Sequence, residues 1–209
     1  MSIRWIFFDV GYTLINEDDV WQRRFEEQAQ TAEAIALGLT PEIIRQEVAQ
    51  NTVERKPQYR NFIQKYGLQA VAPYRHSLEK LYPETITVLK ELPQKYSLGI
   101  IANQSAGLEQ RLSSWKLLPF LSLVVSSWDY QLMKPDPRLF EAALQKTSCP
   151  SAQAVMVGDR LDNDIQPAKL LGMHTVWLKQ GFGALQAPLS SSDTPNHIIT
   201  NLVQLLQLF

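Results

Sequence analysis

Hydrophobic positions along this chain fall into two textures. Ile3 to Val10 is a short apolar run that carries Asp9 near its end and Gly11 just beyond it, the pattern of a strand buried on both faces. From Asp18 to Leu39 the period changes. Trp21, Phe25, Ala29, Ala32 and Ala36 share one helical face with Gln, Glu and Arg between them, and Gly38 closes the helix. Thr40-Pro41-Glu42 opens a second helix, with an N-cap followed by proline at the first helical position. Arg55-Lys56-Pro57 breaks it, and Gln58 to Tyr66 predicts a third helix ending at Gly67. No strand pattern occurs between Asn16 and Leu78.

After Tyr82-Pro83 strands and helices alternate. Helices are predicted over Glu84 to Leu92, Leu108 to Trp115, Pro137 to Gln145 and Asp164 to Leu171, and strands over Ser97 to Ala102, Leu123 to Ser126, Ala154 to Val157 and Thr175 to Leu178. Ser190 to Asp193 reads as loop and Ile198 to Leu208 as a final helix. Such alternation implies right-handed crossovers and an α/β fold, a Rossmann-like parallel sheet flanked by helices. The first strand belongs to that sheet, so the helical stretch is an insertion. Residues 1–15 and 79–209 are expected to form the core and residues 16–78 an all-helical cap.

Composition narrows the functional classes. Twenty basic side chains against 21 acidic ones leave a net charge of −1, without the Lys/Arg excess of a nucleic-acid surface. The single cysteine, Cys149, excludes an intrachain disulfide framework and a Cys-rich zinc site. No apolar run approaches the ~20 residues of a membrane span. MSIRWIFFDVGYTL has neither the basic stretch nor the long apolar segment of a secretory signal, so a cytoplasmic location is expected. His76, His174 and His197 lack ligand spacing.

In open parallel sheets the ligand site lies beyond the carboxyl ends of the strands. Asp9, Asn103, Lys134 and the run Gly158-Asp159-Arg160-Leu161-Asp162-Asn163-Asp164 all fall at or just after predicted strand ends. Carboxylates converging on one crevice repel one another unless a cation joins them. A hard, oxygen-liganded ion such as Mg²⁺, commonly paired with phosphate, suits that set.

These residues carry a resemblance. Asp9-Val10-Gly11-Tyr12-Thr13 is similar to the Asp-x-Asp-x-Thr first motif of the haloacid dehalogenase-like hydrolase superfamily. Lys134 in Met133-Lys134-Pro135-Asp136-Pro137 matches the third motif, and Gly158, Asp159 and Asp164 match a Gly-Asp-x-x-x-x-Asp fourth motif. The resemblance implies Asp9 as a nucleophile forming an aspartyl-phosphate and Lys134 as a charge bridging nucleophile and phosphate. It also implies Mg²⁺ held by Asp9, the Gly11 carbonyl and Asp159, with Asp164 a metal partner acting through water. A helix N-cap is the competing role for Asp164. The implied substrate is a small phosphorylated metabolite.

Two positions depart from the family pattern. Gly11 stands where the family has the aspartate that protonates the leaving alcohol and later activates water, help worth ~10²–10⁴-fold in rate. Ala102 replaces a Ser/Thr that would donate to phosphate, leaving backbone N–H groups and the Asn103 amide as phosphate-binding candidates. Glu17, Asp18 and Asp19 follow the first strand closely enough to fold back toward the crevice. Tyr12, Lys56 and Arg60 are weaker candidates, and the sequence singles out none of them. The phosphatase reading therefore stands beside two others. One is a catalytically weak or inactive phosphate- or partner-binding protein; the other is a carbon–halogen or carbon–phosphorus bond hydrolase, for which the cap's lysines are Lys56 and Lys65.

Overall fold

The computed structural model describes residues 2–209. The chain runs through β1 (Trp5–Phe8), β2 (Ile15–Asn16), the cap helices α1 (Asp18–Ala29), α2 (Ala32–Ala36), α3 (Pro41–Val53) and α4 (Gln58–Tyr66), and then β3 (Lys80–Leu81). The rest alternates as α5 (Thr85–Glu91), β4 (Ser97–Ala102), α6 (Leu108–Ser114), β5 (Leu123–Ser126), α7 (Ser127–Tyr130), α8 (Pro137–Thr147), β6 (Ala154–Gly158), α9 (Gln166–Leu170), β7 (His174–Leu178), β8 (His197–Ile199) and α10 (Leu205–Leu208).

Six strands form one parallel sheet in the order β5-β4-β1-β6-β7-β8. β1 lies at its centre, with Phe8 in register with Ile100 on one side and Val157 on the other. Successive side chains of a strand face opposite sides, so β1 feeds two cores. Ile6 and Phe8 pack with Leu89, Leu98, Leu112 and Leu202, while Phe7 packs with Ile101, Leu139, Phe140 and Met156 on the far face. Burial on both faces is why β1 is an apolar run rather than an alternation. The chain leaves β1 for β4 and β5 on one side and returns to β6 on the other. The crevice beyond β1 is thus a topological switch point, where ligands bind in this class of sheet.

β2 and β3 form an antiparallel ribbon, Ile15 opposite Leu81 and Asn16 opposite Lys80, which zips together the two chain crossings into and out of the cap. The cap has its own cluster of Trp21, Phe25, Ile44, Val48, Tyr59 and Phe62, and it is seated on the core by Phe182 from the β7–β8 connection, whose ring lies 5.7 Å from Trp21. No helix among the described residues is long and apolar enough to cross a membrane.

Three expected elements take a different form. The helix expected over Asp18 to Leu39 divides, because Thr31 leaves helical backbone and caps α2 through Oγ1, accepting from Ala34 N at 3.2 Å. The helix expected from Ile198 begins later. Residues 197–199 instead satisfy the open edge of β7, and Asn201 opens a capping box with Gln204. The helix expected from Asp164 starts at Gln166, after a π-helical turn over Leu161–Ile165.

Candidate active site

β1 ends one residue before Asp9, whose backbone N–H is tied to Val157 O at 2.9 Å, so the carboxylate emerges at the switch point. The chain then turns tightly, with Thr13 N and Leu14 N both donating to Val10 O, and Tyr12 takes a positive φ of 49°. Opposite, Lys134 is delivered by the loop after α7. Asn103, at the end of β4, clamps that loop through its carboxamide: Lys134 N donates to Oδ1 at 2.7 Å, and Nδ2 donates to Lys134 O at 2.9 Å. Asn103, a sequence candidate for phosphate, thus spends its oxygen and one N–H on holding Lys134, with one N–H left over.

The Lys134 ammonium is buried (4% exposed) and makes three hydrogen bonds, to Asp9 Oδ1 at 2.5 Å, Asp164 Oδ1 at 2.5 Å and Ile101 O at 3.0 Å. Burial opposes its charge, but Asp164 and Asp9 outweigh burial and hold its pKa above the ordinary lysine value. Asp164 accepts a second bond from Arg160 N at 3.0 Å through Oδ2. Its carboxylate points back into the turn instead of capping a following helix. Gly158 makes room for it: a Cβ there would lie 2.4 Å from Asp164 Cγ.

Asp9, Asp159 and Asp164 each offer a carboxylate oxygen within 4.8 Å of the others. Only Lys134 donates to Asp9 among the described residues, and no side-chain hydrogen bond reaches the Asp159 carboxylate, which is 5% exposed. Burial and then the charges of Asp164 and Asp9 push Asp159 well above the usual carboxylate range. Burial with the Asp9 charge likewise outweighs Lys134 and raises Asp164 to about 6. A buried, partnerless carboxylate among like charges, with oxygen as the only donor type, is the arrangement a hard divalent cation relieves.

These groups line a cavity of about 290 Å³ under the cap. Tyr74, His76, Gln58, Gln104 and Ser105 complete its wall, and His76 Nε2 lies 2.8 Å from Ser105 Oγ. Tyr74, His76 and Ser105 escape sequence reasoning because they reach the crevice only through the return of the chain from the cap and the loop after β4. Arg160 also faces the cavity, but Asp162 takes its guanidinium in a bidentate pair at 2.8 and 2.7 Å. Lys56 and Lys65 bind Glu54 and Glu47 on the surface, and neither they nor Arg60 line the cavity.

Of the three carboxylates that follow β1, Glu17 enters the site. It lines the cavity at 8% exposure, with Tyr74 Oη donating to Oε1 at 2.7 Å and Trp21 Nε1 donating to Oε2 at 3.0 Å. Burial raises its carboxyl to about 7 against the lowering effect of those two donors. Asp18 accepts from the Tyr12 hydroxyl at 3.0 Å, and Asp19 pairs with Lys80 on the surface. Tyr12 is itself pushed far above the ordinary phenol value by burial and by Asp18 and Glu17.

The sequence matches curated relatives over part of its length. A glyceraldehyde 3-phosphate phosphatase of Pyrococcus furiosus is 34% identical over 123 residues, 58% of this chain and 51% of that protein. A phosphoserine phosphatase of Thermus thermophilus is 35% identical over 103 residues, 48% of this chain and 41% of that protein. The chain spans about half the length of these relatives. Among solved structures, a HAD phosphatase from Thermococcus onnurineus superposes with a TM-score of 0.69 at 22% identity, covering 99% of this chain and 97% of the other. A putative HAD-hydrolase of Bacillus subtilis bound to magnesium gives 0.72 at 21% identity, covering 100% and 99%. These two likenesses establish a shared fold. The family profile of haloacid dehalogenase-like hydrolases matches residues 6–178, a span from the strand that presents Asp9 to the end of β7, and the chain belongs to that family.

Proposed function

We propose that this protein is a Mg²⁺-dependent phosphohydrolase that passes through an aspartyl-phosphate on Asp9 and acts on a small phosphomonoester. The observation that carries the reading is the buried Lys134 ammonium bonded at 2.5 Å to both Asp9 and Asp164, beside the partnerless Asp159. Asp9, Asp159, the Gly11 carbonyl and, through water, Asp164 would hold the ion. When bound, Mg²⁺ supplies positive charge against the phosphoryl oxygens. Lys134 fixes the orientation of Asp9 and adds its own charge where negative charge builds during transfer. Asp9 attacks phosphorus and the ester P–O bond breaks. Water then attacks the aspartyl-phosphate, which returns the Asp9 carboxylate and releases phosphate.

The cavity wall supports a choice of substrate. At about 290 Å³ the cavity is at the lower end of the ~300–1,000 Å³ typical of small-molecule sites. Beyond Lys134, its one other Lys or Arg among the described lining residues is Arg160, which is already spent on Asp162. Gln58, Tyr74, His76, Gln104 and Ser105 offer hydrogen bonds to hydroxyl or aldehyde groups but no free cation for a carboxylate. The leaving group is therefore an uncharged polyol or hydroxyaldehyde. That choice agrees with the glyceraldehyde 3-phosphate phosphatase relatives better than with the phosphoserine phosphatase.

The test is phosphate release from glyceraldehyde 3-phosphate, glycerol 3-phosphate and phosphoserine, with 2-chloropropionate alongside. Each is assayed with Mg²⁺ and with chelator, on wild type and Asp9→Asn. Release that needs Mg²⁺ and Asp9, and that is fastest on the two uncharged leaving groups, is expected. No release from any ester, or release that survives Asp9→Asn, would overturn the reading. Chloride release would mark a dehalogenase instead.

A further inference from the structure

Hydrolysis through an aspartyl-phosphate moves a proton twice: onto the leaving oxygen as the ester breaks, and off the water that attacks the intermediate. Resting on the phosphatase reading above, we propose that Glu17 is the acid–base catalyst that performs both transfers.

The placement of its carboxyl carries the inference. Gly11, two residues past Asp9, has no side chain, and its backbone lies outside the left-handed region, so a glycine there is not demanded by conformation. The space beside it is nevertheless filled. A Cβ built on Gly11 would lie 2.4 Å from Glu17 Oε1, 2.9 Å from its Cδ and 3.2 Å from Oε2. The Glu17 carboxyl occupies the volume that a side chain at position 11 would enter, at the edge of the cavity that holds Asp9.

Glu17 is also held there. It occupies the N-cap position of α1 yet makes no capping bond, and its carboxyl turns instead to Trp21 Nε1 and the Tyr74 hydroxyl. Other groups around the cavity are committed elsewhere. Lys134 is saturated by its three bonds, Asp164 is paired with the Lys134 ammonium, and His76 has Glu79 on one ring nitrogen and Ser105 on the other. Asp159 belongs to the acidic cluster with Asp9 and Asp164, and Glu17 lies outside that cluster.

The steps balance. In the first, an Asp9 oxygen bonds to phosphorus and the P–O bond to the leaving group breaks. The Glu17 carboxyl proton passes to that oxygen, giving the free alcohol and a Glu17 carboxylate. In the second, water oxygen bonds to phosphorus, a water proton passes to Glu17, and the Asp9–phosphorus bond breaks. The site is thereby restored.

The test compares an alkyl ester, glycerol 3-phosphate, with 4-nitrophenyl phosphate, whose leaving group needs no proton, in steady state and by rapid mixing. Glu17→Gln is expected to lower kcat on the alkyl ester by at least ~10²-fold. On the aryl ester it should give a burst of nitrophenolate stoichiometric with enzyme followed by slow turnover, because phospho-Asp9 forms but its hydrolysis lacks a base. Wild type should show no burst. A second variant pair guards against misfolding. Gly11→Asp alone collides with Glu17, whereas Gly11→Asp/Glu17→Ala relocates the carboxyl and should recover at least tenfold of the alkyl-ester turnover lost in Glu17→Ala. Alkyl-ester turnover of Glu17→Gln within threefold of wild type, an equal loss on both esters without a burst, or no recovery in the folded double variant would overturn the assignment. Wild type that turns over neither ester fails the phosphatase reading itself, and this proposal with it. Failure of Glu17 alone leaves wild-type turnover intact.

Discussion

Replacing Gly158 with alanine builds a Cβ 2.4 Å from Asp164 Cγ and Oδ2 and 2.5 Å from Asp164 Cβ. Because the Asp164 Cβ is itself in the way, a rotamer change does not relieve the clash, and backbone of the π turn has to move. Asp164 is buried and bonded to Lys134 Nζ and Arg160 N, so displacing it breaks a charge-assisted bond as well as the packing. Overpacking costs ~1–3 kcal/mol. A hydrogen bond to a charged group adds ~1.5–3 kcal/mol. The sum, roughly 2.5–6 kcal/mol, lowers the melting temperature of a chain this size by about 5–24 °C. The assay is thermal and urea denaturation at pH 7.5 in chelator, run as a cycle with Asp164→Gly, which removes the colliding side chain. In that background Gly158→Ala should cost less than ~1 kcal/mol, leaving a coupling of about 1.5 kcal/mol or more. A wild-type-background cost below ~1 kcal/mol, or equal costs in the two backgrounds, would refute the reasoning.

Two further outcomes follow from the charges. Asp159 and Asp164 have pKa values raised in the folded chain, so from about pH 4 upward the native state holds more protons than the unfolded one, and metal-free stability falls as pH rises to about 6 and beyond. Mg²⁺ at the proposed site would compete with those protons. Its stabilising shift in differential scanning fluorimetry should therefore be larger at pH 8 than at pH 5 and be lost in Asp159→Asn, and an equal shift at both pH values would contradict it. Asp193 has the opposite sign. It is buried, yet the Leu189 and Ser190 N–H groups and the Arg55 guanidinium from the cap hold its carboxyl below the usual range. Its stabilisation is full above about pH 4 and disappears as pH falls through its lowered pKa. Asp193→Asn should cost ~1–3 kcal/mol at pH 7 by urea denaturation and only part of that at about pH 3, where the loss has begun but is not complete.

Much of the fold was legible in local pattern, because periodicity reports how many faces of an element are buried. Ile6, Phe7 and Phe8 form an apolar run since β1 has neighbours on both edges and cores on both faces, and Trp21 and Phe25 recur at helical spacing since one side of α1 meets the cap's core. Strand-end placement puts Asp9, Lys134 and Asp159 at one crevice from the sequence alone, because the carboxyl ends of parallel strands all lie at one edge of the sheet. The β2–β3 ribbon stayed hidden because two-residue strands carry no period and their pairing joins Asn16 to Lys80 across the whole cap. Residue 31 looked helical because the apolar stripe continues past the break that the Thr31 cap makes. That Asn103 commits its oxygen and one N–H to the Lys134 peptide, 31 residues away, leaves no trace in local sequence. The choice of Glu17 over Asp18 and Asp19 likewise depends on Tyr74, 57 residues further on. A sequence lists the side chains that carry chemistry. Which of them fills the volume left open at Gly11 is set by the packing of distant segments, and close packing admits one occupant to each space.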